Sequence, residues 1–389
     1  MIYDWYKSRN REPVFKLGGY AGTGKTTLIG QAVEKLGRSI AFVAYTAKAA
    51  LVLKRKLHAS GIYTDRSRNY CGTIHSLIYR PIIDEKTKEI LGWERKDIDD
   101  LEHDLIVIDE ASMVDEYILN DLLSYEVPIL AIGDCFQLPP IEGKLNLMAD
   151  PHTVLTEIHR QAEDNPIIQL SMDIREKGYI KYGVFSNGVA KVPRHDSLKG
   201  RFIKGCTKEF TDTLILAGFN KTRVKINTNI RKYLGYSGPY PQEGERVICL
   251  KNNYDAKNVP LINGQTGTVV TMNDFGTHLE SQVKVHGEEY WYFGAVDKKT
   301  FNNPTPNIDY KKKVTRLAID EKLCDLSKEE SKMDYFDFGY CMTVHKAQGS
   351  QAKRVMIVEE RFPSMSDEMW ARWLYTAVTR AEEQLLILG

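Results

Sequence analysis

Unbroken apolar runs alternate with amphipathic stretches through the first third of the chain. VFKLGG (14–19), SIAFVAYT (39–46), DLIVIDE (104–110) and VPILAIGD (127–134) are short apolar runs closed by glycine, threonine or acids. Between them, TTLIGQAVEKL (26–36) and AKAALVLKRKL (47–57) repeat apolar residues at helical spacing. A strand covered on both faces loses the in-out alternation of a half-exposed one, so this texture predicts a parallel sheet flanked by helices. In such a sheet, the loops leaving the carboxyl ends of the strands gather the chemistry.

The same texture returns later. DTLILAGFN (212–220), RVMIVEE (354–360) and QLLILG (384–389) read as strands, and KTRVKINTNIRKYL (221–234) and DEMWARWLYTAVTRA (367–381) as helices. FDFGYCMTVHKAQG (336–349) reads as a strand running into a helix. Residues 235–335 differ: ERVICLKNN, QTGTVVTMND, QVKV and EYWYFG are short β-prone runs separated by Gly, Asn and Pro. That predicts a small β-domain inserted in a second α/β domain. Trp291, alternating with its neighbours, is expected to face inward there. YRPIIDEKTKEILGWER (79–95) has two β-prone arms around a charged turn and predicts a protruding hairpin. The fold class is thus α/β, with a first domain over 1–154, a second over 155–234 and 336–389, and a β-rich insertion over 235–335.

Composition narrows the class without naming a partner. The 389 residues are 42% hydrophobic and 27% charged, as in globular chains. No apolar run approaches the roughly 18–20 residues of a membrane helix. The polar, aromatic start MIYDWYKSRNREP has no signal-peptide core, so a cytoplasmic protein, or one in a host cell's cytoplasm, is expected. With 53 basic and 52 acidic residues, any polyanion site must be a local patch. The six cysteines contain no C-x-x-C, which argues against a zinc site or a disulfide framework.

Candidate chemistry begins at GYAGTGKT (19–26), which fits G-x-x-x-x-G-K-[ST] between a strand and a helix. Glycines let backbone N–H groups face phosphate oxygens, and the helix N-terminus adds positive potential. Gly19, Tyr20, Ala21, Gly22, Thr23, Gly24, Lys25, Thr26 and Thr27 are therefore the candidate ATP-binding residues. Lys25 is suited to the β- and γ-phosphates, and the Thr26 hydroxyl to Mg²⁺. Asp109 and Glu110 end an apolar strand. The first can hold Mg²⁺ and the second can take a proton from the attacking water. Gln137, in GDCFQLPP (133–140), is placed to orient that water or sense the γ-phosphate.

In their order these segments resemble the RecD-like and Dda-like helicases of superfamily 1, the branch that moves 5′ to 3′ on single-stranded DNA. GYAGTGKT (19–26) is similar to motif I, AYTAKAA (44–50) to Ia, GTIHSL (72–77) to Ib, DEASM (109–113) to II and GDCFQLPP (133–140) to III. LTEIHRQ (155–161) is similar to motif IV, TVHKAQGSQ (343–351) to V and LYTAVTRA (374–381) to VI. The resemblance implies two RecA-like domains with ATP and Mg²⁺ between them, and an SH3-like identity for the β-rich insertion. It assigns Arg160 and Arg380 to the γ-phosphate and sets Gly349 near it. Many relatives read adenine with a glutamine-bearing segment upstream of the first strand, and residues 1–18 hold no glutamine.

Motifs Ia, Ib and V supply Thr46, Lys48, Thr73, His75, Thr343, His345 and Lys346 as candidate contacts to strand phosphates and sugars, which hold a strand without reading its sequence. Aromatics in the insertions (Tyr79, Trp93, Tyr290, Trp291, Tyr292) suit base stacking or the core of a small β-unit. The expected activity is ATP-dependent DNA unwinding, with single-stranded DNA and a duplex fork as partners, replication or recombination proteins alongside, no membrane, and a monomer. An RNA-directed superfamily 1 helicase of the nonsense-decay type, which shares the GD-x-x-Q-L-P-P pattern, is the same-chemistry alternative. A strand-binding clamp that does not unwind would be expected to lose Lys25, Asp109, Glu110, Gln137 or an arginine, and none is missing.

Overall fold

The fold was obtained as a computed structural model. It describes residues 1–64, 69–83, 90–139, 146–157, 164–205, 210, 212–253, 259, 261–286, 288, 290–306 and 333–389. The chain forms two compact units, Met1–Gly178 with Ala371–Thr376, and Tyr179–Trp370 with Ala377–Gly389.

In the first unit the strands are β1 (Val14–Gly19), β2 (Ile40–Ala44), β3 (Asn69–Thr73), β4 (Tyr79–Ile83), β5 (Ile90–Arg95), β6 (Leu105–Asp109), β7 (Ile129–Gly133) and β8 (Thr153–Leu155). Six of them form one sheet in the order β3-β2-β6-β7-β1-β8, parallel throughout. Successive residues of one strand enter different cores. Ile40 and Phe42 of β2 pack with Ile29, Leu53 and Leu57 from the helices Lys25–Leu36 and Ala47–Ala59. Ala41 and Val43 pack with Ile74, Leu77, Ile118 and Leu122 on the other face. Both faces are dry, which is why these strands read as continuous apolar runs. The arms of the 79–95 hairpin pair antiparallel, Tyr79 with Arg95 through Ile83 with Ile90. Its turn, 84–89, lies outside the described residues.

In the second unit the strands are β9 (Gly183–Ser186), β10 (Val189–Val192), β11 (Thr213–Ala217), β12 (Arg246–Cys249), β13 (Thr266–Asp274), β14 (Leu279–Val285), β15 (Tyr292–Val296), β16 (Phe336–Phe338), β17 (Cys341–Thr343), β18 (Ala352–Val358) and β19 (Ala381–Leu388). One sheet has the order β17-β11-β18-β19-β10-β9, parallel except for the antiparallel edge strand β9. The other, β15-β14-β13-β12-β16, is antiparallel.

Two expectations change. The segment 336–349 is not one strand leading into a helix. β16 ends the antiparallel sheet, β17 begins in the parallel one, and a single 3-10 turn, His345–Ala347, follows. The chain crosses between sheets at Gly339, where an added Cβ would stand 2.7 Å from the Val247 carbonyl. Only glycine tolerates that approach. The second change is the parity of β15. Tyr292 pairs with Val283 and is fully buried, its hydroxyl donating to Asp334 at 2.7 Å. Phe293, the next residue of the strand, faces outward, and Trp291, just before the strand, is 42% exposed, beside the exposed Tyr290. The basic run KKK (311–313), by sequence a solvated face or a strand contact, lies outside the described residues. Among the described residues, no helix is long and apolar enough to cross a membrane.

Candidate functional site

The phosphate loop leaves β1 at Gly19, where a Cβ would stand 2.8 Å from Thr23 Oγ1. Gly22 (φ 80°) and Gly24 (φ 73°) take left-handed conformations that suit glycine. Lys25 folds over the loop, its Nζ donating to the carbonyls of Gly19 (2.8 Å) and Tyr20 (2.9 Å). Thr23 Oγ1 donates to the Tyr20 carbonyl at 2.8 Å. The Arg175 guanidinium stacks 3.6 Å from the centre of the Tyr20 ring. Lys25, Thr26 and Thr27 open the helix Lys25–Leu36, and its N-cap, Gly24, has no side chain to accept from the first-turn N–H groups. Those donors suit an anion.

Asp109 ends β6, beside the phosphate loop in the sheet order only by way of β7. Burial pushes its carboxyl up to about 6, the adjacent Glu110 charge adds to this, and Lys56 and Lys25 oppose it. Glu110 N donates to Asp109 Oδ1 at 3.0 Å. Glu110 itself has φ 52°, an uncommon conformation for a side-chain-bearing residue and one that collects at functional sites. A buried carboxylate crowded by a second one is relieved by a cation, so this pair fits Mg²⁺ by the chemistry of its donors.

β7 leads into Asp134 and Gln137, which are 1% and 5% exposed. Burial pushes the Asp134 carboxyl up, and the Lys25 charge and the Tyr375 hydroxyl pull it back. Residues Ala371–Thr376 belong to this unit and hold the loop after β7. Tyr375 Oη donates to Asp134 Oδ2 (2.6 Å) and accepts from the Ala21 N–H (3.0 Å). Thr376 Oγ1 accepts from Leu138 N at 3.0 Å, and Arg372 Nη1 donates to the Cys135 carbonyl at 2.8 Å. Lys25, Asp109, Glu110 and Gln137 thus follow the carboxyl ends of β1, β6 and β7 within one unit. Asp134 and Tyr375 were missed from sequence. They stand 241 positions apart, and no local spacing signals the pair.

The remaining candidates divide. Arg160 lies outside the described residues. Arg380, in the second unit, is 3% exposed and donates to the Ser350 carbonyl (3.3 Å) and Thr379 Oγ1 (3.2 Å). Gly349 is left-handed at φ 70°. Thr46 and Thr73 are helix N-caps: Thr46 Oγ1 accepts from Ala49 N at 3.2 Å, and Thr73 Oγ1 from Ser76 N at 3.1 Å. Lys48 is half-buried in the first turn after Thr46. His75 is exposed, with its ring 6.3 Å from Tyr45 and 5.5 Å from Tyr79. Tyr45 is the member of this aromatic group that sequence reasoning overlooked.

In the second unit, Thr343 Oγ1 accepts from Lys346 N at 3.4 Å. Burial, then the Arg223 charge, pushes the Lys346 ammonium down to about 8. Burial also lowers His345. Asn220, Arg223, Thr343 and Lys346 help line a cavity of about 220 Å³. The Arg223 guanidinium is paired with the buried Asp337 carboxylate.

A family model described as an AAA domain matches residues 8–192, and one described as a UvrD-like helicase C-terminal domain matches residues 338–388. The ATP-dependent RecD2 DNA helicase of Deinococcus radiodurans is 26% identical over 397 residues, which take in 96% of this chain. Together these matches support a superfamily 1 helicase of the RecD-like and Pif1-like kind. Another RecD-like relative, the RecBCD enzyme subunit RecD of Mycobacterium tuberculosis, is 25% identical over 407 residues and 96% of this chain. The chain spans 46% of the RecD2 protein's length and 66% of the RecD subunit's. The crystal structure of a Bacteroides Pif1 helicase in complex with ADP-AlF3 and single-stranded DNA superposes with a TM-score of 0.56 at 18% identity, over 99% of this chain and 90% of that one. At that identity the likeness carries the RecA-like fold alone.

Proposed function

We propose that this chain is an ATP-driven motor that moves 5′ to 3′ along single-stranded DNA and opens duplex ahead of it. The observation that carries the reading is the phosphate loop with Lys25 and the Asp109–Glu110 pair at the carboxyl edge of one parallel sheet. In this reading Lys25 leaves its carbonyl partners for the β- and γ-phosphates, and the first-turn N–H groups take phosphate oxygens. Thr26 and Asp109 hold Mg²⁺, which neutralises charge on the phosphates when bound. The Glu110 carboxylate accepts the proton of the attacking water, which Gln137 orients. Arg160 and Arg380 supply the positive charge that the transition state needs.

His75, Tyr45 and Lys48 make one surface for the strand, and Thr343 and Lys346 another. The inserted antiparallel sheet is SH3-like in this reading, and the 79–95 hairpin is the pin that parts the strands. The RecD2 relative, named as a DNA helicase, supports DNA over RNA as the track. The test is strand displacement on 5′-tailed and 3′-tailed duplexes, with RNA versions of each tail. Displacement of the 5′-tailed DNA duplex alone is expected. Displacement from 3′ tails only, or from RNA tails only, overturns the polarity or the track.

A further inference from the structure

We propose that Tyr375 is a positioning residue for ATP hydrolysis, its hydroxyl clamping the phosphate loop to the loop that carries Gln137. The inference rests on the ATPase reading above.

The Tyr375 side chain is fully buried, and Phe136 packs edge-on against it with ring centres 5.3 Å apart. A phenylalanine would fill that space as well, so the hydroxyl needs its own explanation. It makes two bonds of opposite sense: it donates to Asp134 Oδ2 and accepts from the Ala21 N–H. Asp134 Oδ1 meanwhile accepts from Phe136 N at 3.0 Å. The result is a chain of bonds, Ala21 N–H to Tyr375 Oη to Asp134 to Phe136 N–H. Bonds in series polarise one another, and the carboxylate makes the two bonds it accepts charge-assisted.

The neighbours of Tyr375 act on the same loop. Arg372 Nη1 donates to the carbonyls of Cys135 (2.8 Å) and Gln137 (3.3 Å), and Thr376 Oγ1 holds Leu138 N. Backbone on both sides of Gln137 is thus fixed by the segment 371–376, and Tyr375 also reaches the phosphate loop. A loop tied in this way holds its glutamine and the Ala21 amide in one register. Misplacement of such groups by about 1 Å can cost on the order of a hundredfold in rate.

The experiment compares the parent with Tyr375→Phe. It measures strand-stimulated kcat, affinity for a fluorescent ATP analogue, single-strand binding, thermal melting, and amide hydrogen exchange over residues 19–24 without nucleotide. The expected result is about a tenfold or greater fall in kcat. Analogue affinity should change less than about threefold, because Lys25 and the helix N-terminus are intact. The Ala21 amide should exchange faster, with strand binding and melting near the parent's. Asp134→Asn has one accepting oxygen where the carboxylate uses two, so it can serve Tyr375 or Phe136 N but not both and should fall between the two; with Phe at 375 that oxygen is left to Phe136 N, so the double variant should match Tyr375→Phe alone. Parental kcat in Tyr375→Phe, parental exchange at Ala21, or additive losses in the double variant would each overturn the clamp. A parent with no ATPase would instead overturn the ATPase reading, and exchange at Ala21 would still decide whether the clamp exists.

Discussion

Lys346 gives the strand-binding reading a sharp test. Its ammonium lines a cavity with Arg223, and burial together with the Arg223 charge pushes it down to about 8. A strand phosphate placed there would restore the bound ammonium toward its ordinary range near 10.4. Affinity should then be flat below pH 8 and fall as pH rises through it, because the free protein must gain a proton to bind. From pH 7 to pH 9 the protonated fraction drops about tenfold, equivalent to about 1.4 kcal/mol.

Neighbouring groups do not share that window. Burial raises Cys249 to about 12 and raises Cys341 as well, while it lowers His345, away from that window. Arg223 is paired with Asp337. The assay is fluorescence anisotropy of a labelled single strand at fixed ionic strength, since salt alone shifts such affinities strongly. Lys346→Arg, which cannot deprotonate, should remove the slope between pH 7 and 9. An unchanged affinity across that range in the parent, or an equal slope in Lys346→Arg, would refute the reasoning.

Lys25→Ala should lose strand-stimulated ATP hydrolysis while still binding single strands, because Lys25 faces phosphate and not the track; substantial remaining turnover in a phosphate-release assay would count against the loop assignment. Glu110→Gln should lower kcat by about a hundredfold or more while ATP affinity changes little, as expected for loss of a general base; near-normal kcat would move the base elsewhere. Replacing residues 82–91 by a short Gly-Ser turn should leave strand-stimulated ATPase intact and remove unwinding, since opening a base-pair step costs about 1.4 kcal/mol and the hairpin need supply only geometry. Equal unwinding by that variant and the parent, at matched ATPase, would exclude a pin.

What could be read from the sequence was local. Strands such as LIVID and ILAIG are legible because both of their faces are dry, and GYAGTGKT because a phosphate loop is built from consecutive residues. The order of motifs along the chain carried the family. Tertiary structure alone decided everything that depends on pairing between distant segments. Strand parity is one case: the register of β15 on β14 buries Tyr292 and turns Phe293 outward, and shifting it by one residue would exchange them. The crossing at Gly339 is another, since two strands a few residues apart enter different sheets according to what lies beside them. Thr46 and Thr73 fit strand contacts by residue type, and only the backbone showed their hydroxyls capping helices. The bond from Tyr375 to Asp134 spans 241 positions, and side chains that far apart meet through packing that no local spacing encodes.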